Sequence, residues 1–255
     1  MAAQRPDLVH ALAEATRKIT DNGDLTAILT TLVHATQRSL PGVDHAGISV
    51  THKDGRVETL AMTDPFVAAL DELQYGLGEG PCLEAISEGA TVNIVDALQE
   101  TRWPRFIPRA VELGLRSQMG VRVYVEDKTV GGLNLYSTRP NAIDPDVQPM
   151  ADLFATHAAL ALGKARHEET LYAGMQTRKV IGQAIGILME RYELDEDRAF
   201  QYLARVSQHS NHKLRDVAVE LVEQVNEHNR PPRTPRPPGP SKRTDGQRNP
   251  KPPGQ

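Results

Sequence analysis

The 255-residue chain is 39% apolar and 24% charged, a balance that suits a soluble globular protein of one large domain or two modest ones. Net charge is −4, but Pro231 to Gln255 hold six Lys/Arg against one acid, which leaves −9 on the remainder. A body that acidic excludes polyanion binding over its whole surface and demands a local basic patch. No apolar run reaches the roughly 18 residues of a membrane span, the acid-bearing stretch Met1 to Arg17 does not read as a signal peptide, and the single cysteine, Cys82, excludes an internal disulfide and fits a reducing cytoplasm.

In chain order, Leu8 to Ile19 and Leu25 to Leu40 read as helices, the second from Leu25, Ile28, Leu29, Leu32 and Val33 at helical spacing. Alternation follows at Ala46, Ile48 and Val50, with Lys53-Asp54-Gly55 as a hairpin turn before a strand at Val57 to Met62. Asp64-Pro65 opens a short helix to about Tyr75. Gly76 to Pro81 is a glycine-rich loop, Leu83 to Ser87 a short helical segment and Thr91 to Ile94 a strand. The loop with Trp103-Pro104 leads into a helix ending near Gly114. Strands Ser117 to Val125 and Val130 to Tyr136 are joined by Glu126-Asp127-Lys128, and a long helix starts within Asn141 to Asp146.

Hairpin-linked strands with helices at both ends argue for a mixed α/β (α+β) domain with one central antiparallel sheet. Neither G-x-G-x-x-G nor a phosphate loop is present, and there is no Cys-x-x-Cys, His-Glu-x-x-His or nucleophile elbow. Glu79 and Asp127 are isolated carboxylates that form no acid/base pair. Enzymatic activity is therefore not expected, and the sequence leaves the identity of any cofactor unknown.

Beyond residue 165 the period stays helical. Ile181, Ala184, Ile185, Leu188 and Met189 form one stripe. A second helix begins at Asp195, an N-cap, with Ala199, Phe200, Leu203 and Val206 as its core face. Ser210 or Asn211 caps a third, with Leu214, Val217, Ala218, Leu221, Val222 and Val225. Three short-linked helices make a small all-α bundle. Gly182 and Gly186, four residues apart, fit a close helix crossing. The tail, with nine prolines in Pro231 to Gln255, is expected to be disordered.

Val180-Ile-Gly-Gln-Ala-Ile-Gly-Ile-Leu-Met-Glu-Arg191, Ala199-Phe200 and Ser207-Gln-His-Ser-Asn-His-Lys-Leu-Arg-Asp-Val-Ala218 resemble the ANTAR family of bacterial transcription antitermination regulators. Gly78-Glu-Gly-Pro-Cys82 and Gly131-Gly-Leu-Asn-Leu-Tyr136 are similar to the GAF family of signal-sensing domains. The order resembles a GAF–ANTAR regulator of the actinobacterial type, with a GAF-like domain over 10–165, an ANTAR-like bundle over 166–230 and the tail over 231–255. The resemblance implies binding to paired RNA stem-loops in competition with a terminator hairpin, homodimerisation through the first bundle helix, and a small-molecule ligand for the GAF-like domain. No membrane partner is implied.

A stem-loop displays phosphates and unstacked bases, which call for guanidinium, ammonium, amide and hydroxyl groups. The candidate RNA contacts are Arg178, Lys179, Gln183, Arg191, Arg205, Ser207, Asn211, His212, Lys213 and Arg215, with Lys213 and Arg215 foremost. Ile185 stands where many relatives have lysine, and the 166–230 segment counts nine Lys/Arg against eleven Asp/Glu, so cations must segregate onto one face. Aromatic platforms are scarce: Tyr192 is a candidate, Tyr202 is undecided, and Phe200 is expected in the core. Gly80, Cys82, Trp103, Met119 and Val121 are candidates for the ligand pocket, with Cys82 open to two readings, redox sensor or small buried hydrophobe. Two rivals stand: a protein-interaction adaptor, and a DNA-binding helix-turn-helix, which the apparently long link between the second and third helices disfavours.

Overall fold

The computed structural model describes residues 12–14, 16, 17, 19 and 23–228. The described part of the predicted helix Leu8 to Ile19 is helical; the tail 231–255 lies outside the described residues. The chain divides into two compact units between Tyr172 and Ala173.

In the first unit, α1 (Leu25–Ser39) precedes a hairpin of β1 (His45–Thr51) and β2 (Val57–Met62). Then come α2 (Pro65–Leu77), α3 (Pro81–Glu88), β3 (Val92–Ile94) and α4 (Phe106–Leu113). A second hairpin, β4 (Ser117–Val125) and β5 (Lys128–Ser137), leads through a 3-10 turn into α5 (Gln148–Tyr192). The five strands form one antiparallel sheet in the order β2-β1-β5-β4-β3. Two-residue alternation sorts the side chains by face. Ala46, Ile48 and Val50 of β1, Met119, Val121 and Val123 of β4, and Leu133 and Leu135 of β5 join α1 and the Ala151, Phe154, Ala158 and Leu162 face of α5 in one core. On the other face Tyr136 and Ile94 pack with Val67 and Leu70 of α2, Ala85 of α3, and Trp103, Phe106 and Ala110 around α4.

Caps set the helix starts. Asp64 accepts from the Phe66 N–H at 2.8 Å, with Pro65 at the first helical position. Glu79 Oε1 accepts from the N–H groups of Arg105 and Phe106 at 2.6 and 2.9 Å, so this loop carboxylate caps α4. Gly120 lets α3 approach the sheet: a Cβ there would lie 2.9 Å from the Pro81 carbonyl oxygen.

The second unit holds the C-terminal part of α5 together with α6 (Glu196–Ser210) and α7 (Leu214–His228). Its core is small: Ala184 and Leu188 of α5, Ala199 and Leu203 of α6, and Ala218 of α7, ringed by half-buried Ile181, Ile185, Met189, Val217 and Leu221. Asp195 caps α6, accepting from the Arg198 N–H at 2.8 Å. Four expectations are corrected. Phe200 is 45% exposed, because it sits a turn's edge away from the Ala199–Leu203 line, and Val206, a turn beyond Leu203 and also expected in the core, is 38% exposed. Ser210 is the last residue of α6 and Asn211 its left-handed C-cap at φ 56°, so neither caps α7. The link to α7 is only Asn211–Lys213, so its length does not disfavour a helix-turn-helix. A Cβ on Gly182 or Gly186 would meet nothing within 4 Å, so no crossing among the described residues explains this pair.

Candidate functional site

The first candidate region lies between the sheet and α2–α3, where a polar network has its centre, Asp71, Gln74, Cys82, Asn134 and Tyr136, fully buried. Asp71 projects from the buried stripe of α2 (Val67, Leu70, Asp71, Gln74). Its carboxylate accepts from Thr59 Oγ1 at 2.6 Å and from the Tyr136 hydroxyl. Asn134 Nδ2 donates to Ser49 Oγ at 2.9 Å and to Cys82 Sγ at 3.1 Å, and Ser49 Oγ pairs with the Tyr75 hydroxyl at 2.6 Å. Gln74 Oε1 accepts from the Cys82 N–H at 2.9 Å, pinning the start of α3 to α2. Gly80 is needed beside it, since its φ of 140° and a Cβ only 2.5 Å from Gln74 exclude a side chain. Burial pushes the Asp71 carboxyl up to about 6, against the hydrogen bonds from Thr59, Tyr136, Tyr75 and Asn134.

The pocket candidates from the sequence are divided by the sheet. Gly80 and Cys82 adjoin this network, and Trp103 is buried in the same layer with the Arg102 guanidinium 4.4 Å above its ring. Met119 and Val121 face the α1–α5 core. Val121 also lines an open groove of about 540 Å³ with Arg122 and Tyr124 of β4, Gly89–Thr91, and Gln148, Asp152, Ala155, Thr156 and Ala159 of the 3-10 turn's exit and α5. Arg122 stacks over Tyr124 at 4.8 Å. Sequence reasoning missed Asp71, Asn134 and Tyr136; the one legible signal was an acid at i+4 from Val67 on an apolar helical stripe.

The second candidate region is the helical unit. Arg178, Lys179, Gln183 and Arg191 are exposed on α5, Arg205 on α6, and Asn211, His212, Lys213 and Arg215 at the α6–α7 turn and the start of α7. Ser207 is half-buried, and its hydroxyl donates to the His212 carbonyl at 2.6 Å, which ties the turn together. The Lys213 carbonyl accepts the N–H groups of Asp216 and Val217, so Lys213 sits at the N-terminus of α7. Gln183 and Arg191 line a separate groove of about 590 Å³ with Gly186, Ile187, Glu190, Val222 and Val225. The turn cluster Ser207–Arg215 is contiguous in the chain; among the described residues no hydrogen bond or ion pair joins it to Arg178 or Lys179.

The family model of the GAF domain matches residues 22–163. The chain belongs to the GAF family. Behind this GAF domain, the ANTAR domain model matches residues 169–222. Both are generally non-catalytic regulatory modules. No curated protein matches the chain. Among solved structures, it is similar to the free methionine-R-sulfoxide reductase of Neisseria meningitidis in complex with its substrate, at 16% identity and TM-score 0.51, over 66% of this chain and 92% of that one. It is also similar to the GAF domain of an Acinetobacter phosphoenolpyruvate-protein phosphotransferase, at 16% identity and TM-score 0.49, over 64% and 97%. At such identity the first likeness speaks to the fold alone.

Inside the GAF domain, Cys82 is fully buried and its thiol is pushed up to about 12, by burial first and by the Asp71 charge second. The thiolate that oxidants and thiol reagents attack is therefore scarce at neutral pH. Native protein is expected to leave Cys82 unmodified by an aromatic disulfide reagent at pH 8 and to release one equivalent of thiol on unfolding; rapid native reaction would contradict this environment. Among the described residues no group of three His, Cys, Asp or Glu is placed to hold a metal, and no helix is long and apolar enough to cross a membrane.

Proposed function

We propose that this protein is a signal-responsive regulator whose ANTAR domain binds paired RNA stem-loops and thereby prevents terminator formation, working in the cytoplasm as a homodimer. The sensory part spans 10–165, the RNA-binding part 166–230, and the tail 231–255 follows both. The observation that carries the reading is the ANTAR match over 169–222 on a three-helix unit, with Lys213 and Arg215 exposed at a helix N-terminus suited to phosphate. Helix α5 supplies Phe154 and Leu162 to the GAF core and Ala184 and Leu188 to the ANTAR core, so one element serves both input and output. Exposed Leu171, Tyr172 and Met175 on α5 support dimerisation through it. A small-molecule input has space in the groove beside Tyr124, whose size falls in the range of ligand sites.

Titration of the full chain with a paired stem-loop RNA and a scrambled control tests the output. The parent is expected to prefer the paired RNA, with affinity falling steeply in salt. The double variant Lys213→Ala, Arg215→Ala is expected to bind roughly tenfold more weakly, with a salt slope smaller by about 1.5 to 2. Equal weak binding to every RNA, untouched by the double variant, would favour the protein-interaction adaptor instead. The three-residue α6–α7 link keeps a second reading open, DNA recognition by a helix-turn-helix, and a duplex DNA arm in the same titration decides it.

A further inference from the structure

Resting on the RNA-binding reading, we propose that α6 carries its own RNA-contacting stripe, in which an unpaired loop base stacks on the Tyr192–Tyr202 pair and flanking phosphates are held by Arg198 and Arg205. The stripe follows from helical geometry. Arg198, Tyr202, Arg205 and His209 recur at i, i+4, i+7 and i+11, which brings all four to one side of α6. The neighbouring line, Ala199 and Leu203, roughly 100° around the helix, is buried in the bundle core, while all four stripe residues are exposed.

The aromatic component is a built feature rather than a stray side chain. Tyr202 and Tyr192, 44% and 51% exposed, bring their rings to 5.7 Å between centroids at 34°. One ring comes from α6 and the other from the end of α5, so the bundle itself sets the platform. An aromatic face open to water is the receptor that a splayed base seeks, and every base can use it.

The charged residues on the stripe itself, Arg198 and Arg205, are both cations. The acids of α6, Glu196 and Asp197, lie in its first turn and off the stripe by helical spacing. Asp195 Oδ2 is 3.5 Å from Arg198 Nε and anchors that guanidinium near the platform. Arg205 forms no ion pair among the described residues, and its carbonyl accepts only the ring of His209 from outside the helix ladder. In a unit with nine Lys/Arg against eleven acids, a cation–aromatic–cation row that carries no acid of α6 on its own line is the segregation that phosphate binding needs. The occupant is a single-stranded RNA loop, because it offers an unstacked base and its flanking phosphates together.

The test uses the full chain, a paired stem-loop RNA with 2-aminopurine at one loop position after another, and circular dichroism to confirm helix content. Tyr202→Ala is expected to weaken binding roughly five- to a hundredfold with little change in salt slope, and to lose the fluorescence quenching of one loop base. Tyr202→Phe is expected to restore both, since stacking needs no hydroxyl, whereas Tyr202→Leu, which keeps apolar bulk, is not. Arg198→Ala with Arg205→Ala is expected to lower the salt slope by about 1.4. If the parent prefers the paired RNA but all these variants bind and quench as it does, the stripe is overturned and the RNA reading survives. If the parent shows no stem-loop preference, the RNA reading fails first and the stripe with it.

Discussion

Leu203→Ala is expected to cost about 2 to 5 kcal/mol, enough to unfold the ANTAR unit while the GAF domain stays folded. The bundle core consists of three alanines and two leucines, Leu188 and Leu203, with Leu203 only 2% exposed. A unit this small buries little apolar area per residue, so its net stability is a few kcal/mol and one leucine is a large share. Three alanines cannot close over the lost volume, since their short side chains have no freedom to swing inward. The measurement is thermal and urea unfolding followed by far-UV circular dichroism, with near-UV signal reporting Trp103 in the GAF core. Loss of part of the helical signal and of RNA binding, with the Trp103 signal intact, is the expected pattern. A variant that keeps its full helical signal and unfolds at the parent's urea midpoint would show that the bundle core is elsewhere.

Asp71→Asn is expected to remove a pH-dependent penalty from the GAF domain. Unfolded, this carboxyl titrates near 3.8; folded, burial lifts it to about 6. Below pH 3.8 both states hold the proton and the group is neutral in effect. As pH rises toward 6 the folded state retains a proton that the unfolded state has released, so stability falls, and above 6 the full cost of about 3 kcal/mol applies. The asparagine carries no charge at any pH and keeps a carbonyl oxygen for Thr59 or Tyr136. The stability difference between variant and parent should therefore move by about 2 kcal/mol in the variant's favour between pH 4.5 and pH 7.5. Urea titrations at both pH values measure it, and taking the difference cancels every other titrating group. A difference that does not change with pH would mean the carboxylate is stabilised as well inside as in water.

The strands were legible because each obeys a two-residue alternation or ends in a polar turn: the predicted Ser117 to Val125 strand coincides with β4, and Lys53-Asp54-Gly55 does turn the first hairpin. Asp195 and Asp64 were legible as caps because capping is a contact within three residues. Phe200 was misplaced because helical spacing defines a stripe but not its width, and in so small a bundle only its centre is covered. The Asn211 cap was misread because asparagine serves both ends of a helix, and only the backbone angle distinguishes them.

Local chemistry and period therefore determined, from the sequence by itself, a mixed α/β domain with an antiparallel sheet followed by three helices, together with the motifs that resemble GAF and ANTAR. Tertiary structure alone decided which groups meet. It brought Asp71, Cys82, Asn134 and Tyr136, spread over 66 positions of chain, into one sealed network, put Met119 on the far side of the sheet from Cys82, and set the Tyr192 ring beside that of Tyr202. The physical reason is that such contacts depend on the register between strands and the rotation of one helix against another, which are set by the packing of the whole core and leave no local pattern to read.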